Sequence, residues 1–375
     1  TQSPSSAASD VYKRQKDMRY NQVSPAIDDQ DIKAVNNYLK SGGWITEHKV
    51  TKELEEKIKN FTDRKFCVTV PNGTIAIYLS LLAAGISNGK RVAIPNLTMV
   101  ATINAAIWAN AVPVLVDVDE NLCMSYKDLI RKKNLDAVIF VPLNGRTGDG
   151  LKINNWCKEN DIKFIEDSAH ALGSEYSEKI KCGGIGDLSV LSFTPHKIIT
   201  MGQGGMILTN NSKKFKYLND LKTFNRKIDK VDWYKGFGLN FKITDLQASL
   251  GLSQFNKLEK FIINKKTIFE TYKENIHNDN IEILNFENNE VPWFFDVKTK
   301  TMKYRNFLAK ELRKKGIETR EFYPALSLQD HLKKYRNKNL KFSENVFKKL
   351  LWLPSSNSLT KNDVIDISSV INSIV

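Results

Sequence analysis

The sequence lacks the features that mark several classes of protein. Only four cysteines occur among 375 residues, none in a CxxC pair and none beside a pair of histidines. A disulfide framework or a zinc site is therefore not expected, and a reducing, cytoplasmic compartment fits the sequence. No apolar run approaches the roughly 20 residues that cross a bilayer, so no membrane attachment is expected.

The formal net charge is +14, yet the basic residues form no evident nucleic-acid site. They are scattered along the chain, and the nearest approach to a cluster is Lys333-Lys334-Tyr335-Arg336. This run is short, and a solvated helix face explains it better than nucleic-acid binding does. With 41% hydrophobic and 26% charged residues, the composition is typical of a globular protein with a large core.

The chain divides into three predicted parts. Residues 1–17 are rich in Ser and Ala, so we expect a disordered tail or a remnant of cloning or assembly, and Met18 is a candidate native start. Residues 18–258 are expected to form a large ligand-binding domain, and residues 259–375 a smaller C-terminal α+β domain. No sharp linker marks the boundary near Leu258.

Seven short apolar segments predict strands, and helical patterns lie between them. The predicted strands are residues 66–70, 91–94, 112–116, 137–141, 163–165, 188–193 and 206–209. Such alternation favours an α/β fold with a mainly parallel sheet and helices on both faces. The last two strands are joined by too short a connection for a helical crossover, so one of them is expected to run antiparallel. Further on, the pattern predicts one long helix over 243–262, a strand over 291–297, and helices over 302–315 and 361–374.

A lysine lies in the polar, Gly-rich loop between the last two predicted strands. Lys197 could form a Schiff base with a carbonyl substrate or with pyridoxal phosphate, although taken alone it could equally be one exposed lysine among many. Ligands of open α/β sheets bind beyond the carboxyl ends of the strands, so partners for this lysine are expected at other strand ends.

Three strand ends supply such partners. Gly73 and Thr74 begin a helix and could bind a phosphate, or form an ordinary helix cap. Asp167 could pair with a cationic ring nitrogen, or cap a helix. Ser192 could add a hydroxyl to the phosphate, or be a core serine. Together with Lys197, these residues favour a Schiff-base enzyme with a phosphorylated cofactor.

The strand-end residues belong to a longer series of motifs that runs from about Tyr20 to the C-terminus. In chain order these are GGWIT at 42–46, NGT at 72–74, PNLT at 95–98, EDSAH at 166–170, SFTPHK at 192–197, GQGG at 202–205, GLNFKITDLQA at 238–248 and GIETR at 316–320. In this order they resemble the DegT/DnrJ family of sugar aminotransferases. The resemblance implies a pyridoxal-phosphate enzyme of fold type I.

The same resemblance implies roles around pyridoxal 5'-phosphate. Lys197 would form the Schiff base with the cofactor and then shuttle the proton between cofactor and substrate carbons. Asp167 would hold the pyridinium nitrogen, and His170 would lie by the phenolic oxygen of the ring. The phosphate would be bound by Gly73, Thr74 and Ser192.

The resemblance also implies partners and a reaction. In this family, an asparagine in the place of Asn240 reaches the phosphate in the neighbouring subunit, which implies a homodimer with shared active sites. The alternative is that Asn240 is only a loop residue before a helix.

The usual reaction of the family moves an amino group, commonly from glutamate, to a keto group of a nucleotide-linked deoxysugar. The segment ending at Arg320 resembles perosamine synthase-like members, which aminate C4 of GDP-4-keto-6-deoxymannose. Arg320 and Thr46 are the candidate substrate-binding residues, and a surface or structural salt bridge is the alternative for Arg320.

Three positions depart from the family pattern. Met99 stands where an aromatic side chain often stacks on the cofactor ring, and methionine can pack there without offering a π-face. Gln203 replaces the common glutamate of a Gly-Glu-Gly-Gly motif, and Ser327 stands where many relatives carry a histidine. The last two departures bear on the identity of the sugar.

Other functions remain as alternatives. One branch of the family deoxygenates sugars with a histidine in place of the lysine, but counting from Ser192 the lysine position falls on Lys197 and not on His196. The pair His196-Lys197 also resembles that of cysteine desulfurases, which the other motifs fit poorly. A non-catalytic binding protein with the same fold is a further alternative, and the presence of both Lys197 and Asp167 argues against it.

Overall fold

The computed structural model describes residues 18–374 of the chain. The predicted tail, residues 1–17, lies outside the described residues. Among residues 18–374, no helix combines the length and the apolar character needed to cross a membrane.

A seven-stranded sheet forms the centre of the larger part of the chain. Its strands are β1 (Phe66–Val70), β2 (Arg91–Pro95), β3 (Val112–Val116), β4 (Ala137–Phe140), β5 (Lys163–Asp167), β6 (Leu188–Ser192) and β7 (Gly205–Thr209). Their spatial order is β1-β7-β6-β5-β4-β2-β3, and β7 runs antiparallel to both of its neighbours while the other pairs are parallel. The predicted mainly parallel sheet with one antiparallel strand is therefore confirmed.

Helices cover both faces of this sheet. Alternate residues of a strand point to opposite faces, and here both sets are apolar, so each face needs a covering layer. Cys67 and Ala93 pack in one core cluster with residues of the helices Lys49–Phe61 and Gly150–Glu159. Their neighbours Val68 and Val92 pack in a second cluster on the other face. That second cluster contains residues of the helices Gly73–Ala83, Ala101–Trp108 and Ser212–Lys222.

The predicted long helix over 243–262 is wrong, because the structure has two helices there. Asp245–Phe255 begins at a capping box formed by Thr244, and Leu258–Asn275 follows after a break. At the break, the buried carboxylate of Asp31 accepts hydrogen bonds from Ser253, Gln254 and Lys257 at 2.6, 2.6 and 2.7 Å. These bonds come from a distant part of the chain, so local periodicity did not reveal the break. The helix Ser212–Lys222, capped by Asn211, was not predicted at all.

A second, four-stranded sheet lies in the C-terminal part. Its strands β8 (Ile281–Ile283), β9 (Asp296–Thr299), β10 (Arg320–Glu321) and β11 (Leu350–Trp352) pair antiparallel in the order β10-β11-β9-β8. With Leu258–Asn275, the α-helices of this part are Met302–Lys314, Ser343–Val346 and Lys361–Asn372. The predicted domain boundary near Leu258 stays a prediction, and it coincides with the start of a helix.

The predicted strand over 291–297 is wrong for most of its length. Residues 291–295 form an irregular segment, and the strand β9 covers only Asp296–Thr299. The backbone amides of Val291 and Trp293 donate to Ser174 Oγ and to the carbonyl of Asn144, at 2.8 and 2.9 Å. Hydrogen bonds to loops of the larger part of the chain thus take the place of the strand-to-strand hydrogen bonds that the apolar run predicted.

Candidate active site

The candidate site lies at the carboxyl ends of β5 and β6. A pocket there is lined by residues from four segments of the chain. These are Asn72, Gly73, Thr74, Ile77, Thr98, Met99, Ala101, Thr102, Asp167, Ala169, His170, Ser192, Thr194 and Lys197. The parallel strands therefore bring together the predicted Lys197, Asp167, His170, Ser192, Gly73, Thr74 and Met99.

Asp167 is the last residue of β5 and is buried. Thr102 Oγ1 donates to its Oδ2 at 3.0 Å, and the backbone amide of Ala169 approaches Oδ1 at 3.4 Å. Burial raises the pKa of Asp167, while the bond from Thr102 and the charge of Lys197 oppose that rise. The carboxylate thus has few partners, and one cation in the pocket would satisfy it.

Lys197 lies in the connection between β6 and β7. The loop is closed at its base, where the amide of Phe193 donates to the carbonyl of Gly204 and that of Met201 to the carbonyl of Phe193, each at 2.9 Å. Burial lowers the pKa of Lys197 to about 7; the carboxylate of Asp167 opposes this shift and the charge of Arg320 adds to it. At neutral pH, Lys197 is therefore the neutral amine in a substantial fraction of the molecules, and the neutral amine is the nucleophilic form.

One end of the pocket has the geometry of a phosphate site. Asn72 caps the helix Gly73–Ala83 by accepting from the amide of Ile75 at 3.0 Å. The N–H groups of Gly73 and Thr74 belong to the first turn and have no intrahelical acceptor. A Cβ on Gly73 would stand 3.0 Å from Cβ and 3.2 Å from Oγ of Ser192, so glycine keeps this corner open. An anion here would meet free amides and two hydroxyls.

The ring of His170 faces the same pocket. It stacks on Trp293 with ring centroids 3.9 Å apart and an interplanar angle of 20°. Its Nδ1 is buried and has no hydrogen-bond partner among the described residues. Burial, and then the positive charges of Lys197 and Arg320, hold the pKa of His170 well below its usual range, so the ring is neutral. A buried ring nitrogen without a partner suits a ligand that offers a polar atom.

Comparison with known proteins decides the family. Residues 25–372 match the DegT/DnrJ/EryC1/StrS aminotransferase family. The chain belongs to this family. It is 33% identical over 363 residues to a GDP-perosamine synthase of Escherichia coli O157:H7, a match that covers 95% of this chain and 98% of that protein. The predicted enzyme class, a pyridoxal-phosphate-dependent aminotransferase, is thereby confirmed, and so is the predicted cofactor.

Solved structures of the same fold support the fold-type I prediction. Helicobacter pylori PseC, an aminotransferase involved in the biosynthesis of pseudoaminic acid, matches with a TM-score of 0.89 and 23% identity, over 95% of this chain and 98% of that one. The putative sugar aminotransferase Spr1654 of Streptococcus pneumoniae, in its PLP form, matches with a TM-score of 0.87 and 25% identity, over 96% and 98% of the two chains. The similarity to cysteine desulfurases, which rested on two residues, gives way to this family.

Three predicted site residues of this aminotransferase lie away from the lining of the pocket. Arg320 is exposed, with its guanidinium 5.4 Å from the ring centroid of Trp352, yet its charge acts on Lys197 and His170. Thr46 and Asn240 are also exposed, and their backbones pair with Thr244 and Thr223 respectively. Within one chain, the structure therefore does not bring Thr46 or Asn240 to the cofactor pocket.

The three departures from the family pattern have different surroundings. Met99 lines the pocket and is 41% exposed, and its position against the cofactor ring stays a prediction. Gln203 has an exposed side chain, and within residues 18–374 only its backbone carbonyl accepts a hydrogen bond, from Gln247 Nε2 at 2.9 Å. Ser327 is buried outside the pocket; its Oγ accepts from Asn96 Nδ2 at 3.0 Å and donates to Glu344 at 2.8 Å.

Sequence reasoning missed several residues of the site. The hydroxyl of Thr102 donates to Asp167, and Oγ1 of Thr98 lies 3.3 Å from Oγ1 of Thr102. Both threonines follow the end of β2, Thr98 before the helix Ala101–Trp108 and Thr102 in its first turn, so a search of this strand end could have revealed them. Trp293 gave no such signal, because it lies more than a hundred positions from His170 and only the fold brings them together.

Proposed function

We propose that this chain transfers the amino group of glutamate to a keto group of a nucleotide-linked deoxysugar, and that GDP-4-keto-6-deoxymannose is the favoured acceptor. The observation that carries the proposal is the meeting of Lys197, Asp167 and the Gly73–Ser192 corner in one pocket. The choice of sugar is supported by the 33% identity to a GDP-perosamine synthase and by the GIETR segment that ends at Arg320.

The pocket fits pyridoxal phosphate in its chemistry. When bound, the cofactor supplies an aldehyde that takes up the amino group and a ring that withdraws electrons from the substrate carbon. Gly73, Thr74 and Ser192 would hold the phosphate, and Asp167 the ring nitrogen. The carboxylate of Asp167, with its few partners, and the unpartnered Nδ1 of His170 are the polar atoms that such a ligand would complete.

Lys197 would move the proton that the reaction requires. A group transfers protons in both directions most effectively when its pKa lies near the working pH. With a pKa of about 7, Nζ of Lys197 can accept a proton from a substrate carbon and return it. Burial lowers this pKa most, so the partial removal of water from the Lys197 side chain by its surroundings is part of the function.

Arg320 would recognise an anionic part of the substrates. It is exposed and close enough for its charge to lower the pKa values of His170, His196 and Lys197. A guanidinium binds a carboxylate or a phosphate through a planar pair of N–H groups. Arg320 would therefore meet the carboxylate of glutamate or the diphosphate of the nucleotide, and Thr46 would add a contact to the substrate from a second chain.

A homodimer would explain the exposed apolar residues and the position of Asn240. Large hydrophobic side chains are exposed on the segments that flank Thr46 and Asn240, namely Trp44, Ile45, Phe224, Ile228, Val231, Trp233, Tyr234 and Phe237. Such a concentration on a protein surface is typical of an interface. A second chain placed there would receive Asn240 in its phosphate corner, as the family resemblance implies.

Mixing two inactive variants tests the shared site. Lys197→Ala and Asn240→Ala each remove one half of the site. A mixed dimer keeps one intact site, built from Lys197 of the Asn240→Ala chain and Asn240 of the Lys197→Ala chain. Random exchange of subunits in a two-fold dimer should restore about a quarter of the wild-type activity. Sedimentation of each variant is the control for assembly. No recovery in a mixture that is shown to exchange subunits would reject the shared site.

A spectroscopic panel tests the reaction. Borohydride should fix the cofactor on Lys197, and glutamate should convert the bound cofactor from the aldehyde to the amine form. A nucleotide-linked 4-ketosugar should then restore the aldehyde, and the sugar product should carry a new amino group. A labelled peptide without Lys197 would reject the assigned lysine. If no nucleotide ketosugar in the panel restores the aldehyde, the substrate assignment is wrong.

The same panel decides the deoxygenation alternative. His196 is exposed, whereas Lys197 lines the pocket, and this favours transfer of the amino group over the histidine-dependent reaction. A product that has lost oxygen without gaining nitrogen would reverse that choice.

A cytoplasmic location of the protein stays a prediction.

A further inference from the structure

One buried tryptophan contacts both of the groups that stand over the pocket. Trp293 is 3% exposed, and its ring stacks on His170 at 3.9 Å between centroids. The Nζ atom of Lys197 lies 4.3 Å from the centre of the same ring. Stacking and cation–π contacts both depend on the aromatic face, so one indole defines where the imidazole and the amine can stand.

The edge of the indole acts on the loop that carries the lysine. Nε1–H of Trp293 donates to the backbone carbonyl of His196 at 2.6 Å. His196 directly precedes Lys197, so this bond fixes the backbone from which the lysine side chain projects. The face of Trp293 therefore positions the side chain of Lys197, and its edge positions the backbone.

Trp293 is itself held from both sides of its backbone. Its amide donates to the carbonyl of Asn144 at 2.9 Å, and its carbonyl accepts from Nζ of Lys265 at 2.9 Å. Lys265 is buried, and its Nζ also donates to the carbonyl of Ser355. Burial lowers the pKa of Lys265 to about 7, and a neutral amine has two N–H groups, which these two carbonyls satisfy. The indole thus has little freedom to move.

We propose that Trp293 is a positioning residue, which holds the Lys197 amine and the His170 ring in the places that the aminotransferase reaction requires. Nδ1 of His170 has no hydrogen bond among the described residues, so stacking on Trp293 orients the ring in place of a bond. Trp293 stands behind these two residues and is not itself part of the pocket lining. The inference rests on the aminotransferase chemistry and not on the identity of the sugar.

Two substitutions separate the face of the indole from its edge. Trp293→Phe keeps an aromatic face and removes the N–H, whereas Trp293→Leu removes both. Phe295→Leu is the matched control, because Phe295 lies in the same segment, is equally buried and packs in the C-terminal core on Tyr272. Each variant is compared with the wild type by thermal unfolding, by kcat and KM, and by labelling of the apo-protein.

The labelling experiment reads the surroundings of Lys197 without substrate. The apo-protein is treated with acetic anhydride over a range of pH, and the acetylated Lys197 peptide is counted by mass spectrometry. In Trp293→Leu, water should enter beside the amine, so the midpoint of labelling should move upward from about 7 towards the ordinary value for lysine. The kcat should fall by about 10- to 100-fold with little change in KM. Trp293→Phe should show a smaller loss of kcat, and Phe295→Leu should leave both readouts unchanged.

A purely structural role predicts different results. If the labelling midpoint of Trp293→Leu equals that of the wild type, or if Phe295→Leu shifts it equally, the proposal is overturned. Should Trp293→Leu not fold, Trp293→Phe decides alone, and wild-type kcat and labelling would then reject the proposal. Failure of every ketosugar in the substrate panel would leave the labelling result unaffected, so the two proposals can fail separately.

Discussion

The junction between the two sheets and the candidate active site bury charge in opposite ways. At the junction, the guanidinium of Arg146 binds the carboxylate of Asp296 through two hydrogen bonds of 2.8 and 2.6 Å, and Asn144 adds a third at 2.7 Å. In the pocket, Asp167 receives one hydroxyl and one long amide contact. Among the described residues, Lys197 makes no ion pair within 4 Å.

The difference separates a structural use of charge from a chemical one. A buried ion pair with satisfied hydrogen bonds costs much to break, because removal of one partner leaves the other buried and alone. The pocket groups have few partners and shifted pKa values instead, raised for Asp167 and lowered for Lys197 and His170. Such groups retain capacity for a ligand, and perturbed pKa values are typical of reactive sites.

The largest expected effect comes from removal of the lysine. Lys197→Ala deletes both the amine that binds the cofactor and the group that moves the proton, so aminotransferase activity should fall by about 10⁴-fold or more. Turnover and borohydride labelling measure this loss. Lys213→Ala, at an exposed position on the helix Ser212–Lys222, is the control and should retain activity. A Lys197→Ala protein with a tenth of the original turnover would contradict the assignment.

Substitutions at the junction between the two sheets should change the stability of the protein and not its chemistry. Asp296→Ala leaves the guanidinium of Arg146 buried without its partner and should lower the free energy of unfolding by about 3–5 kcal/mol. Urea unfolding followed by circular dichroism measures the change. Asp330→Asn breaks the exposed pair with Lys333 and should leave the unfolding curve in place. Equal curves for both variants would remove the contrast between the two regions.

The pH dependence of Lys197 tests the pocket directly. Its amine reacts and its ammonium does not, so acetylation of Lys197 in the apo-protein should rise through about pH 7, well below 10.5, the ordinary pKa of a lysine side chain. Because the folded-state pKa is lowered, the unfolded chain binds more protons between about pH 7 and 10.5. The stability cost of burying Lys197 is therefore complete below pH 7 and decreases as the pH rises to 10.5. A labelling midpoint near 10 would show that the amine is not desolvated.

The smallest expected effect concerns one departure from the family pattern. Ser327→Ala removes the hydroxyl that joins Asn96 to Glu344, which should cost about 1–3 kcal/mol of stability. The ratio of kcat/KM between two ketosugars should stay the same, because Ser327 lies outside the pocket lining. Thermal unfolding and competition between ketosugars measure the two quantities, with the exposed Ser369→Ala as control. A changed sugar preference would return Ser327 to the list of specificity residues.

The accuracy of prediction differed between the same two regions. Strand ends of the large sheet were predictable, because parallel strands bring their carboxyl ends to one edge, and Asp167, Ser192 and Lys197 were all found there. The segment 291–295 was predicted as a strand because it is apolar. Its amides instead bond to Ser174 and Asn144, more than a hundred positions away, which no local pattern can indicate.

What the sequence determined by itself is the chain order of the seven strands of the large sheet, the family, and the kinds of side chain available for chemistry. These follow from short-range periodicity and from motifs that are a few residues long. Only the tertiary structure decided which of the last two strands of the large sheet runs antiparallel, the break after Phe255, the stacking of Trp293 on His170 and the lowered pKa of Lys197. Each of these depends on burial or on a contact between distant segments, and the removal of water from a side chain is a property of the whole fold.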